Sequence, residues 1–321
     1  LDVNLKSQIL NLKDVDFRLR ALIPTLKYLM ARRAKIVLLA HRGRPKARLD
    51  KTFSLEPVAK ELKFILQKEV KFKPKMEAVS LGSGEIVLFE NLRFDPGEEN
   101  NSQDFAKRFF DWGDCYVNEA FAVSHRRHAS VVALPRLFKS KRKDLAAGLR
   151  FTAEVKNLTK VLENPKRPVL LLLGGLKSDK LSNLKGFERF SDKILLAGRM
   201  PEYLREGEGG KIIKANLLPD KKDLTQASIE AFGKEISKAG TIVVIGPMGK
   251  FEEEGHRQGT ERILEAVVNS PAYKVAGGGE TERAIAMFGL KDKFNWVSVG
   301  GGAMLEFLAR GTLPGIEALL S

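Results

Sequence analysis

The 321-residue chain has one cysteine, Cys115, and four histidines. A single thiol excludes an internal disulfide and any cysteine-built zinc site, and four scattered histidines leave little for a histidine-rich metal centre. No stretch approaches the roughly 20 apolar residues that a membrane-spanning helix needs. The longest apolar runs, such as Pro168–Leu173, have strand length. No secretory signal pattern opens the chain, so a cytoplasmic protein without a membrane partner is expected. No Gly-x-x-x-x-Gly-Lys-Ser/Thr is present, and no Gly-x-Gly-x-x-Gly follows the first apolar run. Neither a P-loop NTPase nor a standard dinucleotide dehydrogenase is supported.

What is present suffices for a core: 43% of residues are hydrophobic and 30% charged. At about 150 residues per domain, two domains are expected. The net charge is +15, of which residues 1–150 carry +12 and residues 151–321 carry +3. A basic half beside a near-neutral half points to an anionic partner for the first. Nucleic acid, a membrane surface or a small phosphorylated or carboxylated molecule would each suit it.

Short Val/Ile/Leu-rich runs recur at Lys35–Ala40, Glu85–Phe89, Cys115–Val117, Val169–Leu173, Lys193–Ala197, Lys211–Ile213, Thr241–Ile245, Tyr273–Ala276 and Trp296–Val299. Helical spacing marks Pro24–Arg33, Ser54–Gln67 (with Ser54 as N-cap), Leu145–Leu162, Gln258–Val268, Thr281–Phe288 and Met304–Ala309. Alternation of strand and helix predicts an α/β fold of two doubly wound, Rossmann-like parallel-sheet lobes. Asn164-Pro165-Lys166-Arg167-Pro168 ends the central helix. The predicted division is a first lobe over 1–148, an interdomain helix over 149–164, a second lobe over 165–304, and a C-terminal segment over 305–321 that returns to the first lobe.

Chemistry-bearing residues follow the strands. His41-Arg42-Gly43-Arg44-Pro45, Glu90-Asn91-Leu92-Arg93-Phe94 and Ser124-His125-Arg126-Arg127-His128 each lie just beyond a run in the first half. Ligands of open parallel sheets bind outside the carboxyl ends of strands, and arginine suits carboxylate and phosphate oxygens. In the second half the same positions are glycine turns: Gly174-Gly175, Gly246-Pro247-Met248-Gly249, Gly277-Gly278-Gly279 and Gly300-Gly301-Gly302. Glycine lets backbone N–H groups approach phosphates at helix N-termini. A small anion in one lobe and a nucleotide in the other suggest group transfer. The basic residues are not interleaved with aromatics, which argues against a nucleic-acid interface.

With these motifs in order, the chain resembles the phosphoglycerate kinase family over nearly its full length. Asp2-Val3-Asn4, Asp16-Phe17-Arg18, Asn118-Glu119-Ala120-Phe121 and Gly174-Gly175-Leu176-Lys177 complete the match. The resemblance implies reversible phosphoryl transfer between 1,3-bisphosphoglycerate and Mg-ADP, giving 3-phosphoglycerate and ATP in glycolysis. It implies phosphoglycerate contacts from Asp2, Asn4, Arg18, His41, Arg44, Arg93, His125 and Arg126. It places Arg18, Lys177 and Lys180 at the transferring phosphoryl group. It assigns the nucleotide to Lys180, Glu252, Gly278, Gly279, Glu280, Thr281, Gly301 and Gly302, with Glu280 reaching Mg²⁺ through the nucleotide. A monomer that closes about a hinge is implied, with no tightly bound organic cofactor.

The nucleotide half departs from the family pattern. Lys177 and Lys180 are three apart instead of four. Ile245 replaces Asn, Glu280 replaces Asp, and Arg199 stands near the expected adenine pocket. The stretch between Arg199 and Thr241 is short. A weakened or non-catalytic phosphoglycerate-binding homologue is therefore the alternative. The chain starts at Leu1 within the first expected strand, so a longer N-terminus is expected.

Overall fold

The computed structural model describes residues 2–3, 17–175, 181, 183–204 and 210–320. The chain separates into two compact units, 1–154 with 313–321, and 155–312. Residues 305–312 thus go with the second unit.

The first unit contains strands Asp2–Val3 (β1), Ile36–Leu38 (β2), His41–Arg42 (β3), Val70–Lys73 (β4), Ile86–Phe89 (β5), Cys115–Asn118 (β6) and Asp144–Ala147 (β7). They form three small parallel sheets, β1-β3, β2-β5-β4 and β6-β7. The central β5 is buried at all four positions, as expected for a parallel strand covered on both faces. Phe17–Ala31 (α1) and Glu56–Leu66 (α2) bury Leu19, Leu22, Leu26, Val58, Ala59 and Leu62 against β2, β4 and β5. A second core forms under Gln103–Phe110 (α4) and Leu134–Ser140 (α5), which follow the one-turn helix Pro96–Glu99 (α3).

Three local expectations are corrected. Helix α1 starts seven residues before Pro24, which lies inside it. Its apolar face from Leu19 to Leu26 outweighs the preference of proline for a first turn. The N-cap position of α2 is Leu55, without a side-chain cap. The Ser54 hydroxyl donates to Glu90 at 2.8 Å and accepts from the Glu56 N–H at 3.2 Å. Residues 145–147 belong to β7, and the long helix is Leu149–Leu162 (α6). The break falls at Gly148, where a Cβ would lie 2.0 Å from a Glu119 carboxylate oxygen. That carboxylate accepts from the N–H groups of Arg150 and Phe151 at 3.0 Å each, and so caps α6.

The second unit is one six-stranded parallel sheet. Its strands are Val169–Leu173 (β8), Lys193–Leu196 (β9), Ile212–Lys214 (β10), Thr241–Ile245 (β11), Tyr273–Gly277 (β12) and Trp296–Ser298 (β13). Their spatial order is β10-β9-β8-β11-β12-β13. Numbered within the unit this is 3-2-1-4-5-6, the doubly wound order. It reverses direction between β8 and β11, whose ten residues are all buried. The crevice at such a switch point is where the architecture takes ligands. Leu184–Phe190 (α7), Gln226–Ile236 (α8), Gln258–Asn269 (α9), Gly279–Met287 (α10) and Gly301–Arg310 (α11) lie between and after the strands. Pro314–Leu320 (α12) belongs to the first unit, where Ala318 packs with Val123, Val131 and Val132. No helix among the described residues is long and apolar enough to cross a membrane.

Candidate active site

In the first unit, backbone pairing sets Asp2 beside His41 and Val3 beside Arg42. Two of the sequence motifs are therefore adjacent at one sheet edge. His41 is buried. The turn after it has Gly43 at φ +64°, with a Cβ position only 2.3 Å from the Phe53 ring.

The next arm is stitched to this one. Asn91, fully buried, donates to the carbonyls of Arg42 at 2.7 Å and Phe53 at 3.0 Å. Its own Oδ1 accepts from the Arg93 N–H. Glu90 accepts from the Ser54 hydroxyl and from the Leu55 and Asn91 N–H groups, each at 2.8 Å. Arg93 is buried and spends one guanidinium N–H on the Gly43 carbonyl at 2.6 Å. A buried arginine held by a backbone carbonyl keeps its remaining donors fixed in direction.

The third arm leaves β6 through Asn118 and a turn at Phe121–Val123. The Ser124 hydroxyl donates to the Ala120 carbonyl at 3.0 Å, and the Arg126 N–H bonds the Val123 carbonyl. His125 and Arg126 follow, half-buried, with Arg126 Nε 3.4 Å from His125 Nε2. One turn of π-helix, Ala129–Ala133, comes directly after.

His128 shows that these arms converge. Its imidazole is buried, edge-on to His41 at 6.4 Å between ring centroids. Burial, then the positive field of Arg93, His41, Arg126 and His125, pushes its pKa down to about 3. Five basic groups from three strand ends thus share one locality. Arg18 is half-buried in the first turn of α1, and Arg44 is exposed. Asn4, Lys177 and Lys180 lie outside the described residues.

The candidate site of the second unit is built from backbone. At the switch point the turns after β8, β9 and β11 interlock. A Cβ on Gly174 would sit 2.1 Å from the Pro247 carbonyl oxygen, and one on Gly198 would sit 2.4 Å from that of Gly175. The Gly198 N–H donates to the Met248 carbonyl, and the Arg199 N–H to the Gly175 carbonyl. Two buried threonines hold the third turn. The Thr281 hydroxyl accepts from the Gly246 N–H at 2.7 Å, and that of Thr260 from the Met248 and Gly249 N–H groups at 3.1 Å each. Thr281 is buried, so its hydroxyl acts on the turn.

Helices α10 and α11 start after β12 and β13 without side-chain caps. The first N–H groups of a helix have no intrahelical acceptor, which suits such starts to an anion. A Cβ on Gly301 would lie 2.5 Å from Gly278 Cα, so the two helix starts touch through glycine. Gly279 has open space around its Cβ position, and Gly302 and Glu280 are exposed in the first turns. Glu252 is exposed and pairs with Arg283 at 3.2 Å. The exposed Arg199 side chain pairs with Glu202 at 2.9 Å, and Glu202 also pairs with Lys221 at 2.9 Å. Ile245 is buried, with its carbonyl accepting from the Gly174 N–H.

Sequence reasoning left several supporting groups unassigned, among them His128, Asn91, Thr260 and Asp223. Asp223 is buried, accepts from the Gly259 N–H at 2.8 Å, and lies so close to Gly249 and Gly259 that a Cβ on either would meet it at 2.1 Å. An Asp that follows two lysines reads as surface, and only the glycines it abuts could have signalled it.

A family model described as phosphoglycerate kinase matches residues 1–227 and 220–310. The phosphoglycerate kinase of Nautilia profundicola is 35% identical over 362 aligned positions, covering 95% of this chain and 90% of the relative. That of Geotalea uraniireducens is 36% identical with the same coverage. Both alignments are longer than this chain, so the relatives carry residues that it lacks. The solved phosphoglycerate kinase of Coxiella burnetii superposes with a TM-score of 0.80 at 29% identity, over 99% of this chain and 94% of that one. Matches of this extent leave one assignment: the chain belongs to the phosphoglycerate kinase family, a family of phosphotransferases.

Proposed function

We propose that the chain catalyses reversible transfer of a phosphoryl group from the acyl phosphate of 1,3-bisphosphoglycerate to Mg-ADP, giving 3-phosphoglycerate and Mg-ATP. One observation carries the division of labour: basic side chains gather at three strand ends of the first unit, and glycine turns interlock at the switch point of the second. His41, Arg93, His125 and Arg126, with Arg18, Arg44, Asp2 and Asn4, would hold the phosphoglycerate. Arginine forks match both its carboxylate and its phosphate. The helix starts at Gly278–Thr281 and Gly301–Gly302 would receive the nucleotide phosphates, and Glu252 its ribose.

In the transfer, an oxygen of the ADP β-phosphate attacks phosphorus in line. The bond from phosphorus to the acyl oxygen breaks, and the electron pair leaves with the carboxylate. No proton has to move, so the protein contributes positioning and charge. Arg18 and Lys177 would face the equatorial oxygens, with Lys180 on the nucleotide side. Magnesium would arrive as part of the nucleotide substrate. Glu280, an exposed hard oxygen donor beside a helix start, suits that ion. A glycolytic, cytoplasmic role follows from the reaction.

The test is ATP formation from 1,3-bisphosphoglycerate and ADP, with Mg²⁺ and again with excess chelator. Turnover that requires Mg²⁺ supports the reading. Saturable 3-phosphoglycerate binding without turnover would replace it with the non-catalytic homologue.

A further inference from the structure

Glu98 is fully buried, although it stands in an acidic, polar stretch of sequence. A buried carboxylate is costly unless its oxygens are satisfied. Here both are used on one residue. Oε2 accepts from the Ser130 N–H at 3.0 Å and Oε1 from the Ser130 hydroxyl at 2.6 Å. Burial pushes the carboxyl pKa up, and the Ser130 bonds and the positive charge of Arg93 oppose that shift.

The position of Ser130 gives the contact its meaning. It lies in the π-helical turn Ala129–Ala133, directly after His125, Arg126 and His128. The same turn is held at two further points. The Tyr116 hydroxyl donates to the Ser130 carbonyl at 2.7 Å, and the Ala133 N–H donates to Asn101 Oδ1 at 3.1 Å. Glu98 and Asn101 flank the end of α3, only a few residues beyond Arg93. The Arg93 arm and the His125–Arg126 arm are thus joined from behind by one carboxylate. His128 Nδ1 lies 3.8 Å from Glu98 Oε1 and has no hydrogen-bond partner.

We propose that Glu98 is a positioning residue for phosphoglycerate: through its two hydrogen bonds to Ser130 it fixes the arm bearing His125 and Arg126 relative to the arm bearing Arg93. It has no exposed atom with which to touch a ligand, so it acts through Ser130. The inference rests on the phosphoglycerate reading of the first unit.

The experiment runs the reaction from 3-phosphoglycerate and Mg-ATP. It measures kcat, both Michaelis constants and the thermal midpoint for the full chain and three variants. Glu98→Ala is expected to raise the phosphoglycerate KM about fivefold or more, the scale of a lost hydrogen bond, with the Mg-ATP KM within about twofold. Glu98→Gln can still accept from the Ser130 N–H and donate to its hydroxyl oxygen. It should return the phosphoglycerate KM to within about twofold of wild type. Ser130→Ala removes one of the two bonds and should raise that KM alone by about two- to threefold, which covers a failure of Glu98→Ala to fold. A general structural role would lower the thermal midpoint without separating the two KM values, and that result overturns the proposal. So does Glu98→Gln behaving like Glu98→Ala, or Ser130→Ala leaving both KM values unchanged. Absence of turnover in the wild type would instead remove the phosphoglycerate reading itself.

Discussion

The two units present candidate anion sites made of different material. In the first, the material is charged side chains, among which Arg93 is aimed by the Gly43 carbonyl and steadied by Asn91. In the second, main-chain N–H groups are exposed by glycines, and side chains such as Thr260 and Thr281 only hold the turns. A site built from side chains can lose one group and keep the rest. One built from touching backbones tolerates almost no added atom.

The sharpest way to break this contrast is at the switch point. Gly174→Ala should have the largest effect, because its new methyl would meet the Pro247 carbonyl at 2.1 Å. Turnover should fall to background, with a stability loss of about 2 kcal/mol or more in denaturant unfolding. Near-normal activity in this variant would show that the close approach is not needed.

Arg18→Ala comes next. It should lower kcat at least about tenfold while leaving the Mg-ATP KM near wild type, since charge stabilisation in the transition state is lost. An unchanged kcat would place Arg18 away from the transferring group.

A smaller effect comes from pH. The folded pKa of His128, about 3, lies well below that of the unfolded chain, about 6.5. The unfolded state therefore takes up the proton first. The resulting stability is complete above about pH 6.5 and declines as pH falls towards 3. The thermal midpoint should drop between pH 7 and pH 5, and His128→Gln should flatten that slope. Glu98, with its carboxyl pushed up by burial, works in the opposite sense, its contribution being lost as pH rises through its folded pKa. An equal slope in wild type and variant would contradict the role given to His128.

Smallest of all is Arg199→Ala. Its ion pair with Glu202 is exposed and screened by water, so neither the thermal midpoint nor the Mg-ATP KM should move. A rise in that KM would draw Arg199 back into the nucleotide site.

The same contrast explains what was legible in the sequence. The basic strand ends could be read from charge and position, and the glycine turns from their place after apolar runs. Each of the nine apolar runs named from the sequence overlaps a strand. The missed strands have physical reasons. β4 carries lysines at two of its four positions, and β3 is two residues long. β7 has only one residue that is not exposed, so its Leu-Ala-Ala passed for the start of α6. Glu98 was illegible for a different reason. Nothing in Pro96-Gly97-Glu98-Glu99-Asn100 distinguishes the buried glutamate from its exposed neighbour Glu99. Only the fold, by bringing Ser130 to it, gives it a role.

Each unit should hold its own anion, and the second should take a nucleotide despite its departures from the family pattern. Calorimetric titration of Mg-ADP and of 3-phosphoglycerate, each alone, tests this directly. Saturable one-to-one binding of both is expected. Binding of 3-phosphoglycerate with no detectable binding of Mg-ADP would contradict it.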